Sequence, residues 1–195
     1  MTYSIIGAGK VGTALARHFA QAGIQVSIAN TRGSASMTAL AKELGPTVTP
    51  ANLQDALAAD TVIFAIPFRA HADVAAALPS WKGKIVIDAM NAYGIAPEEL
   101  RGMASTEVLA AALPGARVVK AFNQLPAALL ASTPAQNEGR RVVFVAADDA
   151  EASASVAHLA TQFGFAPIQL GKIAEGGRLL ALNGPLLLQN LIKLV

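Results

Sequence analysis

The sequence predicts an α/β fold of the doubly wound kind, a Rossmann-type, mostly parallel sheet with helices on both faces, in a single domain over residues 1–195. Three observations carry that prediction. Strand-length apolar runs alternate with helical segments along the whole chain. A glycine-rich turn, Gly7-Ala8-Gly9-Lys10-Val11-Gly12, directly follows the first apolar run and opens a helix. At 195 residues, 53% of them hydrophobic and 14% charged, the chain is large and apolar enough to fill one core.

The elements follow in order. Tyr3 to Ile6 is the first strand, and the helix after it places Leu15, Phe19 and Ala22 on one face before stopping at Gly23. Ile24 to Ala29 supplies a second strand, closing the unit of ~30 residues that a βαβ dinucleotide site requires. Ser34 to Leu44 is a helix closed by Gly45-Pro46, Asn52 to Ala58 a short helix, and Thr61 to Ile66 a buried strand ended by Pro67. Arg69 to Leu78 is helical, Lys84 to Ala89 a strand, Thr106 to Leu113 a helix ended by Pro114-Gly115, and Arg117 to Ala121 a strand. Arg141 to Ala146, Ala150 to Phe163 and Pro167 to Leu170 add a last strand, helix and strand. Residues 1 to about 123 thus form a nucleotide-binding core, and about 140–195 an extension that completes the sheet.

Each glycine of the turn answers a steric demand. Gly7 permits the tight strand-to-helix turn, Gly9 lets the backbone approach a pyrophosphate, and Gly12 lets the helix lie close on the sheet. The amides at the helix start, around Lys10 and Val11, then face the phosphates. At the end of the second strand, where an acidic residue would accept hydrogen bonds from the ribose hydroxyls of NAD, stand Asn30, Thr31 and Arg32. Asn30 removes the negative charge, Thr31 offers a hydroxyl, and Arg32 offers a charge-assisted grip on a phosphate monoester. Ser34 and Ser36 lie close enough to add donors. The expectation is NADP(H) rather than NAD.

Several classes are excluded. No cysteine is present, which removes disulfides, a thiolate nucleophile and cysteine-ligated metal, and His18, His71 and His158 show no ligand spacing. No metal site is expected. A net charge of +2 without a basic cluster gives no footprint for nucleic acid. Apolar stretches are broken before the ~20 residues that span a bilayer, and Gly7, Gly9 and Lys10 interrupt any signal-peptide layout, so the expectation is a cytoplasmic protein without membrane partners.

In a doubly wound sheet, ligands sit outside the carboxyl ends of the strands. Three further strand ends therefore matter: Ala65-Ile66-Pro67-Phe68, Asp88-Ala89-Met90-Asn91 and Lys120-Ala121-Phe122-Asn123. Each offers apolar residues for a nicotinamide face and a polar group to orient its carboxamide. Equally, Ile66 and Phe122 can be core, Pro67 a strand stop, and Asn91 and Asn123 turn caps. Two side chains deserve weighing as proton donors. His71 reads better as a helix-packing or surface residue. Lys120 can reach a phosphate, pair with Asp88 or extend into solvent; no catalytic acid or base is assigned.

The chain resembles the NADPH-dependent oxidoreductases of the coenzyme F420, or 8-hydroxy-5-deazaflavin, type, and the cytosolic reductase domain of six-transmembrane metalloreductases. The residues carrying the resemblance are the glycine turn, Asn30-Thr31-Arg32-Gly33, Ile66-Pro67, Leu113 to Asn123, and Phe163-Gly164-Phe165-Ala166-Pro167 with Gly171. Its specific part is Pro114-Gly115-Ala116-Arg117-Val118-Val119-Lys120-Ala121-Phe122-Asn123. The resemblance implies hydride transfer from NADPH to a deazaflavin, or to FMN or FAD, with Thr31 and Arg32 on the 2′-phosphate and Ile66, Asn91 and Ala121 lining the nicotinamide. A delocalised ring accepts hydride without an obligatory protonating side chain. An isolated ketone or imine usually wants one.

Larger hydroxyacid and pyrroline-type reductases carry a long helical domain after the nucleotide unit, whereas about twenty-five residues follow Gly171 here. Leu179 to Val195 is dense in Leu, Ile and Val, with Lys193 its only charge. Such a segment, expected to be a short apolar helix, must pack on its own sheet, on a twin subunit or over the acceptor, and a homodimer contact that also borders the acceptor site is favoured. The alternatives to a deazaflavin or flavin acceptor are a ferric chelate, a carbonyl or an imine, or a module that binds NADP and senses redox state without turnover.

Overall fold

The computed structural model describes residues 1–194. The elements are β1 (Tyr3–Ile6), α1 (Lys10–Gln21), β2 (Val26–Ala29), α2 (Thr38–Leu44), β3 (Val48–Pro50), α3 (Leu53–Leu57), β4 (Thr61–Phe64) and α4 (His71–Ala76). They continue as β5 (Ile85–Asp88), α5 (Ser105–Ala112), β6 (Arg117–Ala121), α6 (Ala127–Leu130), β7 (Ala135–Gln136), β8 (Gly139–Ala147), α7 (Ala150–Gln162), β9 (Ala166–Gln169) and β10 (Ile192–Leu194). The sheet runs β3-β2-β1-β4-β5-β6 in parallel; β8 then joins β6 antiparallel, and β9 lies parallel to β8. The order reverses between β1 and β4, the point where such a sheet opens a crevice. This is the expected doubly wound architecture.

Successive strand residues point to opposite faces, and the two apolar layers sort accordingly. Ile5, Ile63, Ile85, Ile87 and Val119 pack with Leu15 and Phe19 of α1 and with α7, whereas Ile6, Val62, Phe64, Val86 and Val118 pack with Leu57, Val74, Trp81 and Leu109. Both faces are covered, which is why the central strands read as unbroken Val/Ile runs. Among the described residues no helix is long and apolar enough to cross a membrane.

The C-terminal segment corrects an expectation. In place of an apolar helix it forms one π-helical turn at Ile173–Gly177, a series of turns, and the strand β10 paired antiparallel with the start of β8. Gly184 and Pro185 break the pattern: a Gly184 Cβ would fall 2.5 Å from Leu179 O, and Pro185 has no amide to donate. β10 then closes on Gly139, where a Cβ would meet Lys193 O at 2.7 Å. The short β3, β7 and α6 were also absent from the sequence pattern, being two to four residues each.

His18 is a core residue. It is 1% exposed, its ring stacks near Phe163 and meets Phe165 edge-on, and its Nε2 donates to Leu130 O at 2.5 Å, which leaves Nδ1 buried without a partner. Burial therefore pushes its pKa below the ordinary 6.5, with the Leu130 contact opposing the fall. Between the depressed value and the ordinary one the unfolded chain binds more protons, so this contribution is intact above the ordinary value and is lost as pH falls through the folded one. Urea melts at about pH 7.5 and about pH 5.5 should show lower stability at the acid point. His18→Phe should reduce that pH difference, while orphaning Leu130 O at a cost of about 1–3 kcal/mol; an unchanged difference would remove His18 from the account.

Candidate functional site

The site begins where β1 hands over to α1. Gly7 sits at φ +112°, donates to Ala29 O at 2.7 Å, and would bring a Cβ within 2.3 Å of Ala65 O. Gly12 lies against the Gly7 carbonyl so closely that a Cβ would fall 1.8 Å from that oxygen. Gly9 differs from both: its φ of −82° suits any residue, and a Cβ there meets nothing within 4 Å. The open space at Gly9 is on the ligand side of the turn. Gly9 is also the cap of α1, and no side chain bonds the first-turn amides of this 12-residue helix. Those amides have no intrahelical partner and carry the positive end of the helix dipole, so they suit a pyrophosphate. Lys10 is exposed beside them and Val11 half-buried.

A cavity of about 430 Å³ opens from this turn, lined by Gly7, Ala8 and Gly9, by Asn30, Thr31 and Arg32, and by Ile66, Pro67 and Val74 among others. Its two ends differ. The Ile66-Pro67 side is apolar, as an adenine or nicotinamide face requires, whereas the β2 end is polar. There Asn30 Oδ1 accepts from the Arg32 amide at 2.9 Å, Asn30 Nδ2 donates to the Ser36 hydroxyl at 3.0 Å, and that hydroxyl donates to Gly33 O at 2.7 Å. Asn30 and Ser36 thus build the loop. Thr31 and Arg32 are exposed, and among the described residues Arg32 enters no ion pair. The donors present fit a dinucleotide with a 2′-phosphate.

Beyond the cavity, the ends of β5 and β6 hold a polar cluster in an otherwise apolar layer. Lys120 and Asp88 face each other in register, both 0% exposed, with Nζ 3.1 Å from Asp88 Oδ2 and 2.5 Å from Met90 O. Asp88 Oδ2 also accepts from Thr106 Oγ1 at 2.6 Å, and Asp88 Oδ1 accepts from the Met90 amide at 3.0 Å. Of the three roles open to Lys120, pairing with Asp88 is the one realised. Burial pushes the Lys120 ammonium below its ordinary pKa, and the Asp88 carboxylate opposes that fall.

Next to this cluster the two asparagines meet. Asn91 Nδ2 donates to Asn123 O at 3.0 Å, Asn123 Nδ2 donates to Asn91 Oδ1 at 2.9 Å and to Leu180 O at 2.7 Å. Asn91 is half-buried and Asn123 buried. Phe122 between them and β6 stands at φ +62°, a conformation unusual for an aromatic residue, and its ring lies among Phe163 and Phe165. Ala121 is a correction. It is 0% exposed within the α1-side core and presents no surface to a nicotinamide, so it acts by packing. His71 packs on the Phe68 ring at 4.5 Å between centroids, with Nδ1 2.6 Å from Phe68 O, away from the cavity wall.

Residues 2–92 match the family model "NADP oxidoreductase coenzyme F420-dependent". Metalloreductase STEAP3 of Rattus norvegicus is 30% identical over 177 residues, covering 88% of this chain and 34% of the rat protein. The chain therefore spans about a third of that relative's length. A hypothetical protein of Sinorhizobium meliloti has the same fold at TM-score 0.94 and 44% identity, covering 99% of this chain and 96% of its own. A structure from Arthrobacter sp. FB24 assigned as an F420-dependent NADP-reductase superposes at TM-score 0.74 with 27% identity, covering 89% and 86%. Over residues 2–92 the chain is thus similar to the F420-dependent NADP oxidoreductases, and the named reductases among its relatives are NADP-dependent oxidoreductases.

The contrast among the three glycines is directly testable. Gly9→Val should leave the thermal midpoint within a few degrees of the parent while abolishing dinucleotide binding in calorimetry. Gly12→Ala should lower the midpoint instead, because its methyl must displace backbone. Retained binding by Gly9→Val would make the turn structural only.

Proposed function

We propose that this chain transfers hydride between NADP(H) and a planar conjugated acceptor of the deazaflavin or flavin class. The observation that supports it most is the β2 end of the cavity, where an exposed Arg32 stands on a loop prebuilt by Asn30 and Ser36 and, among the described residues, meets no ion-pair partner and no lining carboxylate. On this reading the α1 amides hold the pyrophosphate, Thr31 and Arg32 the 2′-phosphate, and Ile66 and Pro67 one face of the bound dinucleotide. Asn91 and Asn123 border its far half. NADPH bound in this way supplies a hydride. The protein's part is to hold the donor carbon and the acceptor's ring carbon or nitrogen at ~3–3.5 Å and to exclude water. Among the described residues lining the cavity there is no His, Lys, Tyr, Asp or Glu; Lys120 is sealed and His71 turns to Phe68. That favours an acceptor whose own ring system absorbs the charge over a ketone or imine.

Arg32→Ala should weaken NADPH about ten- to a hundredfold, the equivalent of a lost charge-assisted contact of ~1.5–3 kcal/mol, and leave NADH nearly unchanged. Equal losses for both would sink the phosphate assignment. Stopped-flow oxidation of NADPH against a deazaflavin, FMN, FAD and a ferric chelate then ranks the acceptors, and faster reduction of the chelate than of any ring would overturn the acceptor class.

We also propose a homodimer through the C-terminal segment. Leu188, Leu191, Ile192 and Leu194 are exposed there, around a strand whose outer edge is unpaired. Light scattering should give twice the chain mass for the parent and a single mass for Leu194→Glu; a monomeric parent refutes it.

A further inference from the structure

The mechanism just described leaves the buried Asp88–Lys120 pair without a task. Its cost is considerable, since two charges are taken from water into a layer of Val86, Val118 and Met90. Apolar side chains of similar volume would ordinarily hold two strands together as well or better. What apolar side chains cannot do is grip a backbone. The pair grips one residue twice: Asp88 Oδ1 accepts from the Met90 amide, and Lys120 Nζ donates to the Met90 carbonyl. Met90 lies two residues past the end of β5, where the parallel ladder with β6 has stopped at Asp88 and Lys120. Side chains thus continue the ladder's work beyond its last rung. Thr106 of α5 donates at 2.6 Å to Asp88 Oδ2, the same oxygen that Lys120 Nζ meets, and so helps to fix the carboxylate.

The next residue is Asn91. Its carboxamide both donates to and accepts from Asn123, and Asn123 holds Leu180 O in the segment that follows the π-helical turn. A continuous polar chain runs from Thr106 through Asp88, Lys120, Met90, Asn91 and Asn123 to Leu180. Deleting the pair would free the Met90 backbone, and with it the point from which Asn91 leaves the sheet.

We propose that Asp88 and Lys120 are positioning residues for the nicotinamide half of the dinucleotide site, setting the Asn91–Asn123 wall at the ends of β5 and β6 by clamping both backbone polar groups of Met90. Neither touches the dinucleotide. The proposal rests on the NADP(H) reading above and assigns these residues no proton transfer.

The test separates packing from positioning. In Asp88→Leu/Lys120→Met an apolar pair replaces the charged one, so the fold is retained, while the clamp on Met90 is lost. Binding of 2′,5′-ADP, which carries the adenosine and the 2′-phosphate but no nicotinamide, should be unchanged in fluorescence-displacement titration. NADPH affinity relative to 2′,5′-ADP should drop about tenfold, and the enhanced emission of bound NADPH should fall toward that of free NADPH. Thr106→Val, which removes only the bond to Asp88 Oδ2, should move the same ratio in the same direction by about two- to threefold, and it serves as the readout if the double variant does not fold. A ratio unchanged in the variants overturns the proposal and leaves the pair a packing feature. A parent chain that binds neither NADPH nor 2′,5′-ADP overturns the NADP(H) reading itself, an outcome visible before any variant is made.

Discussion

Everything in this site depends on how closely α1 can approach β1. The Gly12 backbone rests on the Gly7 carbonyl at a separation that no side chain on Gly12 would allow. That contact sets the start of α1 at the mouth of the crevice rather than a few ångströms above the sheet, and so brings its free amides within reach of a ligand. It also seats Leu15 and Phe19 on Ile5 and Val26, which anchors the return crossover into β2. The loop bearing Arg32 emerges from that strand. One backbone contact therefore fixes both the phosphate cradle and the polar end of the cavity.

The parts of this geometry that were legible in the sequence are the ones decided by neighbours in the chain. Gly7 turns at φ +112° and Gly12 rests on the Gly7 carbonyl five residues away, and β6 falls at Arg117–Ala121 as the apolar pattern indicates. What was not legible depends on register between distant strands. A lysine in an apolar strand looks the same in sequence whether it reaches solvent or a carboxylate, and only the parallel pairing of β5 with β6 places Asp88 opposite Lys120 across 32 residues. Ala121 was misjudged for the same reason: its face of the sheet belongs to the α1 core, a fact settled by the alternation that also puts Val119 there. Asn30 proved to be a loop builder, through contacts with Arg32 and Ser36 that spacing permits but does not impose.

The C-terminal segment shows how composition can mislead about conformation. Its leucines suit a helix, yet Gly184 and Pro185 divide it into pieces shorter than a stable helix needs. Strand pairing with the start of β8 satisfies the backbone instead, and Gly139 makes room for it. The burial of Leu180 and the capture of its carbonyl by Asn123 then tie this segment to the strand ends.

These ties bear on chemistry. The donors at the ends of β5 and β6 already serve other protein groups, Lys120 serving Asp88 and Met90 and the Asn123 amide serving Asn91 and Leu180, while Asp88 accepts from Thr106 and Met90 and Asn123 Oδ1 is buried without a partner. A general acid must have a proton free to give and a path to its substrate; these have neither. The strained Phe122 backbone is consistent with the same priority, because turning the chain at φ +62° aims Asn123 back at Asn91 rather than out toward a ligand. Donors committed to holding shape fit the proposed reading, in which hydride passes between two planar rings and fixed distance and excluded water are most of what the reaction asks of the protein.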